Sequence, residues 1–116
     1  MIEVGDYVRT NCGKIGKLIR IEFDEIDKFL KWYVFLGKNE FGIERELYTN
    51  KPYIVKHSKN IIDLIEPDDY VNGYKADEVR VSCFNSMIFC KEIELLESDI
   101  KTIVTKESFE RASYKV

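Results

Sequence analysis

Side chains suited to nucleophilic chemistry are few in this sequence. His57 is the only histidine, and the cysteines are Cys12, Cys83 and Cys90. A nucleophile of the cysteine–histidine or serine–histidine type would have to use His57 as its base. Because His57 comes directly before Ser58, which can cap a helical turn, we interpret it as a surface or capping residue.

The cysteine pattern does not indicate a metal site. Cys83 and Cys90 flank one predicted hairpin, but a structural zinc site usually needs four cysteine or histidine ligands. Cys12 and His57 share no ligand spacing with that pair. We therefore predict no metal and interpret Cys83 and Cys90 as buried thiols that pack as small hydrophobic residues. An odd cysteine count is typical of free thiols in a reduced compartment.

Neighbouring carboxylates could carry out general acid–base chemistry, and Asp68 and Asp69 are such a pair. They occupy a predicted turn, however, where aspartate is favoured because its side chain can bond its own backbone. The sequence also contains no glycine-rich phosphate loop. We therefore predict a protein without enzyme activity and without a cofactor.

The composition is that of a small globular protein. The 116 residues are 45% hydrophobic and 34% charged, with a net charge of -3, and a chain this apolar is not disordered. A duplex nucleic-acid binder usually carries a basic surplus instead. The longest apolar run is too short to span a bilayer, and the start of the chain is too polar for a signal peptide. We expect a cytoplasmic protein without membrane association.

The chain repeats itself. Residues 65–73 (IEPDDYVNG) match residues 2–10 (IEVGDYVRT) at a shift of 63 positions, and Ser58-Lys59 matches Thr105-Lys106 at a shift of 47. Self-similarity of this kind is a signature of duplicated architecture. We predict two related units, residues 1–63 and residues 64–116. Since units this small are marginal alone, we expect them to share a core.

The fall in this shift along the chain means that the first unit carries about 15 more residues than the second, and we place them between Arg20 and Leu36. Within that stretch, residues 24–28 break the strand pattern and form an acidic loop. On one side of it, residues 19–23 alternate apolar and polar side chains, which is typical of a half-buried strand. On the other side, residues 29–36 are almost entirely apolar, which predicts a central strand covered on both faces.

The acidic loop is the first candidate for a binding surface. Acidic loops with an apolar residue can dock on basic protein grooves, and loops on a rigid β scaffold often carry recognition. We expect a second, smaller contribution from the first strand. The predicted partner-contact residues are Asp24, Glu25, Ile26 and Asp27, with Tyr7 and Arg9 second.

The first predicted hairpin offers an alternative surface. Basic side chains cluster there, and Tyr7 and Phe23 lie close to these basic residues in the sequence. Basic and aromatic residues interleaved on a small barrel can grip single-stranded nucleic acid through phosphate contacts and stacking. The predicted nucleic-acid contacts are Arg9, Lys14, Lys17 and Arg20.

Two resemblances follow from these motifs. The Gly-Asp-x-Val opening resembles the first strand of SH3-like barrels, including the KOW and Tudor types. Residues 58–66 (SKNIIDLIE), 69–73 (DYVNG) and 103–110 (IVTKESFE) resemble short proteins from phages and prophages of low-GC bacteria. The second resemblance implies a phage accessory protein that binds and inhibits a host protein in the host cytoplasm, including defence systems such as CRISPR effectors. It implies no active-site residues.

Together these patterns predict a mainly β protein: two tandem related SH3-like small barrels, packed through a shared core, with short helical turns. The function predicted for it is non-catalytic binding of a host protein, in the manner of an anti-CRISPR protein. Binding of single-stranded RNA is the alternative. Homodimerisation through an exposed strand edge stays open.

Overall fold

A computed structural model of the chain describes residues 1–38, 43–82 and 86–112. The chain divides into two compact units, Met1–Asn60 and Ile61–Val116. The sequence placed this boundary three residues later, between residues 63 and 64.

Within the described residues, the first unit is one antiparallel sheet of five strands. They are β1 (Tyr7–Thr10), β2 (Ile15–Phe23), β3 (Lys31–Lys38), β4 (Glu44–Thr49) and β5 (Ile54–Ser58). Their order in the sheet is β4-β3-β2-β1-β5. A 3₁₀ helix at Lys51–Tyr53 connects β4 to β5, and Pro52 stands in its first turn, where a missing N–H is tolerated.

The second unit contains another antiparallel sheet of five strands among the residues that the structure describes. They are β6 (Tyr70–Val71), β7 (Tyr74–Arg80), β8 (Met87–Cys90), β9 (Glu94–Leu96) and β10 (Ile103–Val104), in the order β10-β6-β7-β8-β9. Short helices fill the connections and the end: 3₁₀ helices at Ile61–Leu64 and Glu97–Asp99, and α1 at Lys106–Ala112.

A mainly β protein with short helical elements is therefore confirmed. Over the described ranges neither sheet closes into a barrel, because the edge strands β4 and β5, like β9 and β10, do not pair with each other. The turn-forming residues at positions 37–40 (GKNE) predict a hairpin turn there, but Gly37 and Lys38 belong to β3. The rest of that turn lies outside the described residues. The same holds for Asn85, where the sequence predicts a second hairpin turn, and for residues 114–116, where it predicts an edge strand.

Each unit has a hydrophobic cluster built from its own residues. In the first unit, the strand predicted to be central does lie between two neighbours, and Tyr33, Val34 and Phe35 are all buried. Successive strand residues face opposite sides, so both faces of β3 are covered there, as predicted. The core cluster of the second unit is formed by Ile62, Ile65, Val71, Ala76, Ile88 and Leu95. A core shared between the units stays a prediction.

The two sheets agree in more than strand order. In the first, the pairing of β2 with β3 shifts register between Leu18 and Arg20. In the second, the pairing of β7 with β8 shifts between Ala76 and Glu78. A bulge of this kind bends its strand and increases the local twist. Both sheets therefore bend at the same point of their second strand.

The ladder registers also locate the additional length of the first unit. Residues with the same place in the strand pairing of the two sheets differ in number by 63 at Tyr7 (counterpart Tyr70) and by 58 at Leu18 (counterpart Ala76). The difference falls to 55 at Phe35 (counterpart Cys90) and to 46 at Thr49 (counterpart Leu95). Most of the additional residues thus lie in the β1–β2 turn and between β3 and β4. Our prediction that they lie between Arg20 and Leu36 is wrong for all but three of them.

The repeated turn has the same geometry in both copies. In the first, the Asp6 N–H donates to the Glu3 carbonyl at 3.0 Å, and Asp6 Oδ2 accepts from the Glu3 N–H at 3.1 Å. In the second, Asp69 and Glu66 form the same two bonds at 3.1 and 2.8 Å. Both aspartates are buried. Each carboxylate therefore closes its turn by accepting a backbone N–H from the residue three positions before it.

A lysine that follows the last strand of each sheet reaches this turn. Lys59 Nζ lies 2.6 Å from Asp6 Oδ1 and 3.2 Å from the Glu3 carboxylate. In the second unit, the Lys106 N–H donates to Asp69 Oδ1 at 2.9 Å, and Lys106 Nζ donates to Glu66 Oε1 at the same distance. The turn before the first strand is thereby tied to the segment after the last.

This geometry predicts different responses at two adjacent aspartates. Asp69→Ala leaves the N–H groups of Glu66 and Lys106 without their acceptor, at about 1–3 kcal/mol each. We expect the free energy of unfolding, measured by urea denaturation, to fall by at least about 2 kcal/mol. Asp68 is exposed and has a φ of 76°, so Asp68→Gly should change stability by less than about 1 kcal/mol. Equal losses in the two variants would contradict the role given to Asp69.

Candidate functional site

The β2–β3 loop, residues 24–30, has a hydrogen-bonded backbone. At its base, the Asp24 N–H donates to the Leu30 carbonyl at 2.9 Å. Inside it, the Leu30 N–H donates to the Asp27 carbonyl at 3.1 Å, and Asp27 Oδ1 accepts from the Phe29 N–H at 3.0 Å. Asp27 thus serves as a local turn former, and the loop has a defined conformation on which side chains can be presented.

Large apolar side chains project from this loop. Ile26 is 94% exposed and Phe29 is 98% exposed, while Phe23 at the end of β2 is 64% exposed. Single exposed apolar residues are ordinary, but several in one short stretch mark an interaction site more often than chance. The loop therefore carries the chemistry of a contact surface.

Acidic side chains accompany the apolar ones. Glu25 and Asp27 are exposed and Asp24 is half-buried, against one cation, Lys28. The predicted contact residues of the loop are thus brought together on one short stretch. A surface of this kind complements an apolar groove with a basic rim.

Phe29 was missed by the sequence reasoning. The apolar run from residue 29 predicted that Phe29 begins a central strand, but β3 begins at Lys31, which pairs with Phe23. Nothing in the local pattern separates Phe29 from the strand that follows, because both are apolar. The start of β3 is fixed by the pairing of Lys31 with Phe23 on β2.

The two second-choice contact residues lie elsewhere. Tyr7 is half-buried and pairs with Lys17, six positions before the end of β2 at Phe23. Arg9 is completely buried, at 0% exposure. The structure does not place either of them on the loop.

The four cations proposed for nucleic-acid binding do not form one accessible patch. Arg9 is buried, so its guanidinium is not presented to solvent. Arg20 donates to both carboxylate oxygens of Glu46, at 2.8 and 2.7 Å, and also pairs with Glu22. Arg20 in turn lowers the pKa of the Glu46 carboxyl, through those hydrogen bonds. Lys14 and Lys17 are left to contact a phosphate from solvent.

His57 has a carboxylate partner of the kind that orients a catalytic histidine. Its Nδ1 lies 3.2 Å from Asp6 Oδ2. Asp6 is the partner of the His57 side chain among the residues that the structure describes, and no serine, threonine or cysteine hydroxyl or thiol joins the pair there. The pair belongs to the buried carboxylate that closes the first turn.

The cysteines do not come together as metal ligands in the described part of the chain. Cys12 is exposed, with its Sγ 3.2 Å from Thr10 Oγ1. Cys90 is half-buried against the core of the second unit, and burial raises the pKa of its thiol. Cys83 lies outside the described residues. No group of three or more histidine, cysteine, aspartate or glutamate residues in the described ranges could hold a metal ion.

Comparison with known proteins gives no assignment: no family model matches the sequence, and no curated protein or solved structure matches it significantly. Among the described residues, no helix has the length and apolar character needed to cross a bilayer.

The Asp6 cluster predicts how stability responds to acid. Lys59 lowers the pKa of Asp6 most, burial opposes this, and the Glu3 N–H and His57 add to the lowering. Because the folded-state pKa lies below the unfolded value of about 3.9, the stabilisation is present above about pH 4 and is lost as the pH falls through the folded pKa. Lys59→Met should lower stability at neutral pH and flatten its acid dependence.

Urea unfolding midpoints at a series of pH values would measure both effects. Lys17→Met is the matched control, because it also removes a lysine charge from an exposed side chain but one that does not contact Asp6. If Lys59→Met kept the acid dependence of the unmodified protein, the ion pair would not be the cause.

Proposed function

We propose that this protein is a non-catalytic module that binds another protein through its β2–β3 loop. The observation that supports this most is the near-complete exposure of Ile26 and Phe29 on a loop whose backbone is held by hydrogen bonds. A chain that keeps two large apolar side chains in water on an ordered loop gains free energy when a partner covers them.

The two kinds of side chain on the loop have separate roles in this proposal. Transfer of Ile26 and Phe29 into a partner pocket contributes about 1.5–3 kcal/mol each and governs how slowly the complex dissociates. The carboxylates of Glu25 and Asp27 sit at the rim, where charges mainly speed the encounter with a basic surface and lose effect as salt rises. The partner surface that fits is an apolar groove bordered by lysine or arginine.

The scaffold we propose for this loop is a tandem pair of SH3-like units. The shared strand order, the bulge at the same point of the second strand and the repeated aspartate turn support a common origin for the two sheets. In this proposal the two units keep one framework and differ in their connections, and the loop of residues 24–30 is the connection that took on binding.

We further propose that the partner is a host protein and that binding inhibits it, as in a phage accessory protein directed against a defence system such as a CRISPR effector. Support for this comes from the resemblance of residues 58–66, 69–73 and 103–110 to short phage and prophage proteins. The acidic net charge suits docking on a protein surface that is basic because it handles nucleic acid.

The loop is tested by affinity capture from a host lysate treated with nuclease, which removes nucleic-acid bridges. Ile26→Asp combined with Phe29→Ser should reduce recovery of a specifically retained protein by at least about tenfold, because the loss of two buried apolar contacts exceeds 1.4 kcal/mol. Changing Asp24, Glu25 and Asp27 to Lys should reduce it too, and most strongly at low salt.

Val81→Asp is the matched control, since Val81 is an exposed apolar residue of the second unit. It should leave capture unchanged. Retention that survives every loop variant would show that the loop is not the contact surface, and capture of an oligonucleotide or small molecule alone would remove the protein-binding role.

Single-stranded nucleic-acid binding remains the second candidate, now with Lys14 and Lys17 as its accessible cations. Two phosphate contacts give only a shallow salt dependence, with a slope of about −0.7 per contact on a single strand. We expect no binding of a fluorescent single-stranded RNA by anisotropy at low salt. Salt-sensitive binding that is lost when Lys14 and Lys17 are changed to Glu would favour this alternative over the loop.

A further inference from the structure

The first unit also contains a cleft, located where the β1–β2 turn meets the end of β4 and the 3₁₀ helix after it. Its volume is about 250 Å³. Its wall is mainly apolar, and Tyr48 and Tyr53 are both about half exposed there. Polar groups stand around the apolar floor. The lining residues are Thr10, Asn11, Cys12, Lys14, Phe35, Leu47, Tyr48, Thr49 and Tyr53.

Lys14 is the charged residue of this cleft, and its side chain has no carboxylate within ion-pair distance among the residues that the structure describes. The cleft therefore combines an apolar floor with an unneutralised cation. An occupant with an apolar side chain next to a carboxylate would satisfy both features at once, because the charge pair forms where apolar contact has already displaced water.

The β2–β3 loop of this chain has that chemistry. Ile26 stands between Glu25 and Asp27, and all three are exposed. We propose that the loop of one molecule docks in the cleft of a second copy of the chain, with Ile26 on the apolar floor and a neighbouring carboxylate against Lys14. This inference rests on the loop being the contact surface proposed above.

The loop does not fill the cleft of its own molecule. Ile26 is 94% exposed, and hydrogen bonds within residues 24–30 hold the loop in that conformation. The occupant that we propose is therefore the loop of another molecule.

A contact between two different surfaces is head-to-tail, so each dimer still offers one free loop and one free cleft. Association then continues beyond a dimer as concentration rises. It is also weak, because one loop tip in one cleft covers much less than the roughly 1,200 Å² of a stable interface. A foreign partner that binds the same loop more tightly disperses these assemblies, which links self-association to partner binding.

Sedimentation velocity over concentrations up to about 1 mM tests the contact. The weight-average mass of the unmodified protein should rise above the monomer value of 13.7 kDa and continue to rise. Ile26→Asp, which disables the loop, and the double variant Lys14→Glu with Tyr53→Ser, which disables the cleft, should each remain monomeric. Lys91→Glu, which changes an exposed lysine of the second unit, is the control and should associate normally.

Mixing Ile26→Asp with the double variant tests the contact most directly, because the mass of the mixture is compared with the mass of each variant alone. Ile26→Asp retains its cleft and the double variant retains its loop, so the mixture should form a one-to-one complex and stop there. An interface that does not place the loop in the cleft would give no such rescue. Thermal unfolding midpoints close to that of the unmodified protein would show that both variants are folded.

A wild-type mass that stays at the monomer value, or a mixture that stays monomeric while both variants are folded, would overturn the head-to-tail contact. If self-association is absent but the loop variants still lose a captured partner, this inference fails and the proposed function stands. If Ile26→Asp abolishes self-association without affecting capture, the loop serves the second copy and the proposed function fails.

Discussion

The structure of each unit depends on a buried aspartate that closes the turn before the first strand. Asp6 and Asp69 are almost fully buried, and a buried carboxylate is tolerated only when hydrogen bonds and a cation compensate for the water it has lost. Backbone N–H groups of the turn provide the bonds. From beyond the last strand, Lys59 adds its ammonium group to Asp6, and Lys106 adds its backbone N–H to Asp69 while its ammonium group bonds to Glu66. The arrangement ties the start of each sheet to its end, because neither partner is satisfied without the other.

This constraint explains where the two units agree and where they differ. The two units agree in the aspartate turn, in the pairing of first and last strands and in the bulge of the second strand. Each of these features rests on contacts between several residues, so one residue cannot change without affecting its partners. The connections are not held in that way, since they lie outside the ladders. The first unit is longer in three of them, and the loop of residues 24–30 is one of these. A rigid frame with variable connections is the common arrangement for recognition surfaces.

Charge pairing within the frame also bears on function. Arg20 is occupied by Glu22 and Glu46, and Arg9 is inside the unit, so the basic character of the first hairpin is largely neutralised or hidden. The acidic loop, in contrast, keeps Glu25 and Asp27 exposed beside Ile26. Pairing of Arg20 and burial of Arg9 therefore leave Lys14 and Lys17 as the accessible cations of this hairpin. For this reason we propose a protein as the partner before a nucleic acid.

The sequence by itself determined the mainly β class, the repeated turn, most strand positions and the acidic loop, because period-2 alternation and turn residues are local signals. It did not determine that Arg9 is buried or that Phe29 belongs to the exposed loop. The type of a residue and an apolar run around it do not show whether its side chain will be buried or exposed in the folded protein. The folded sheet decided both: Lys31 opposite Phe23 sets where β3 begins, and Arg9 is buried on β1 together with its neighbours Val8 and Thr10. Such pairings join residues far apart in the chain, so only the tertiary structure could fix them.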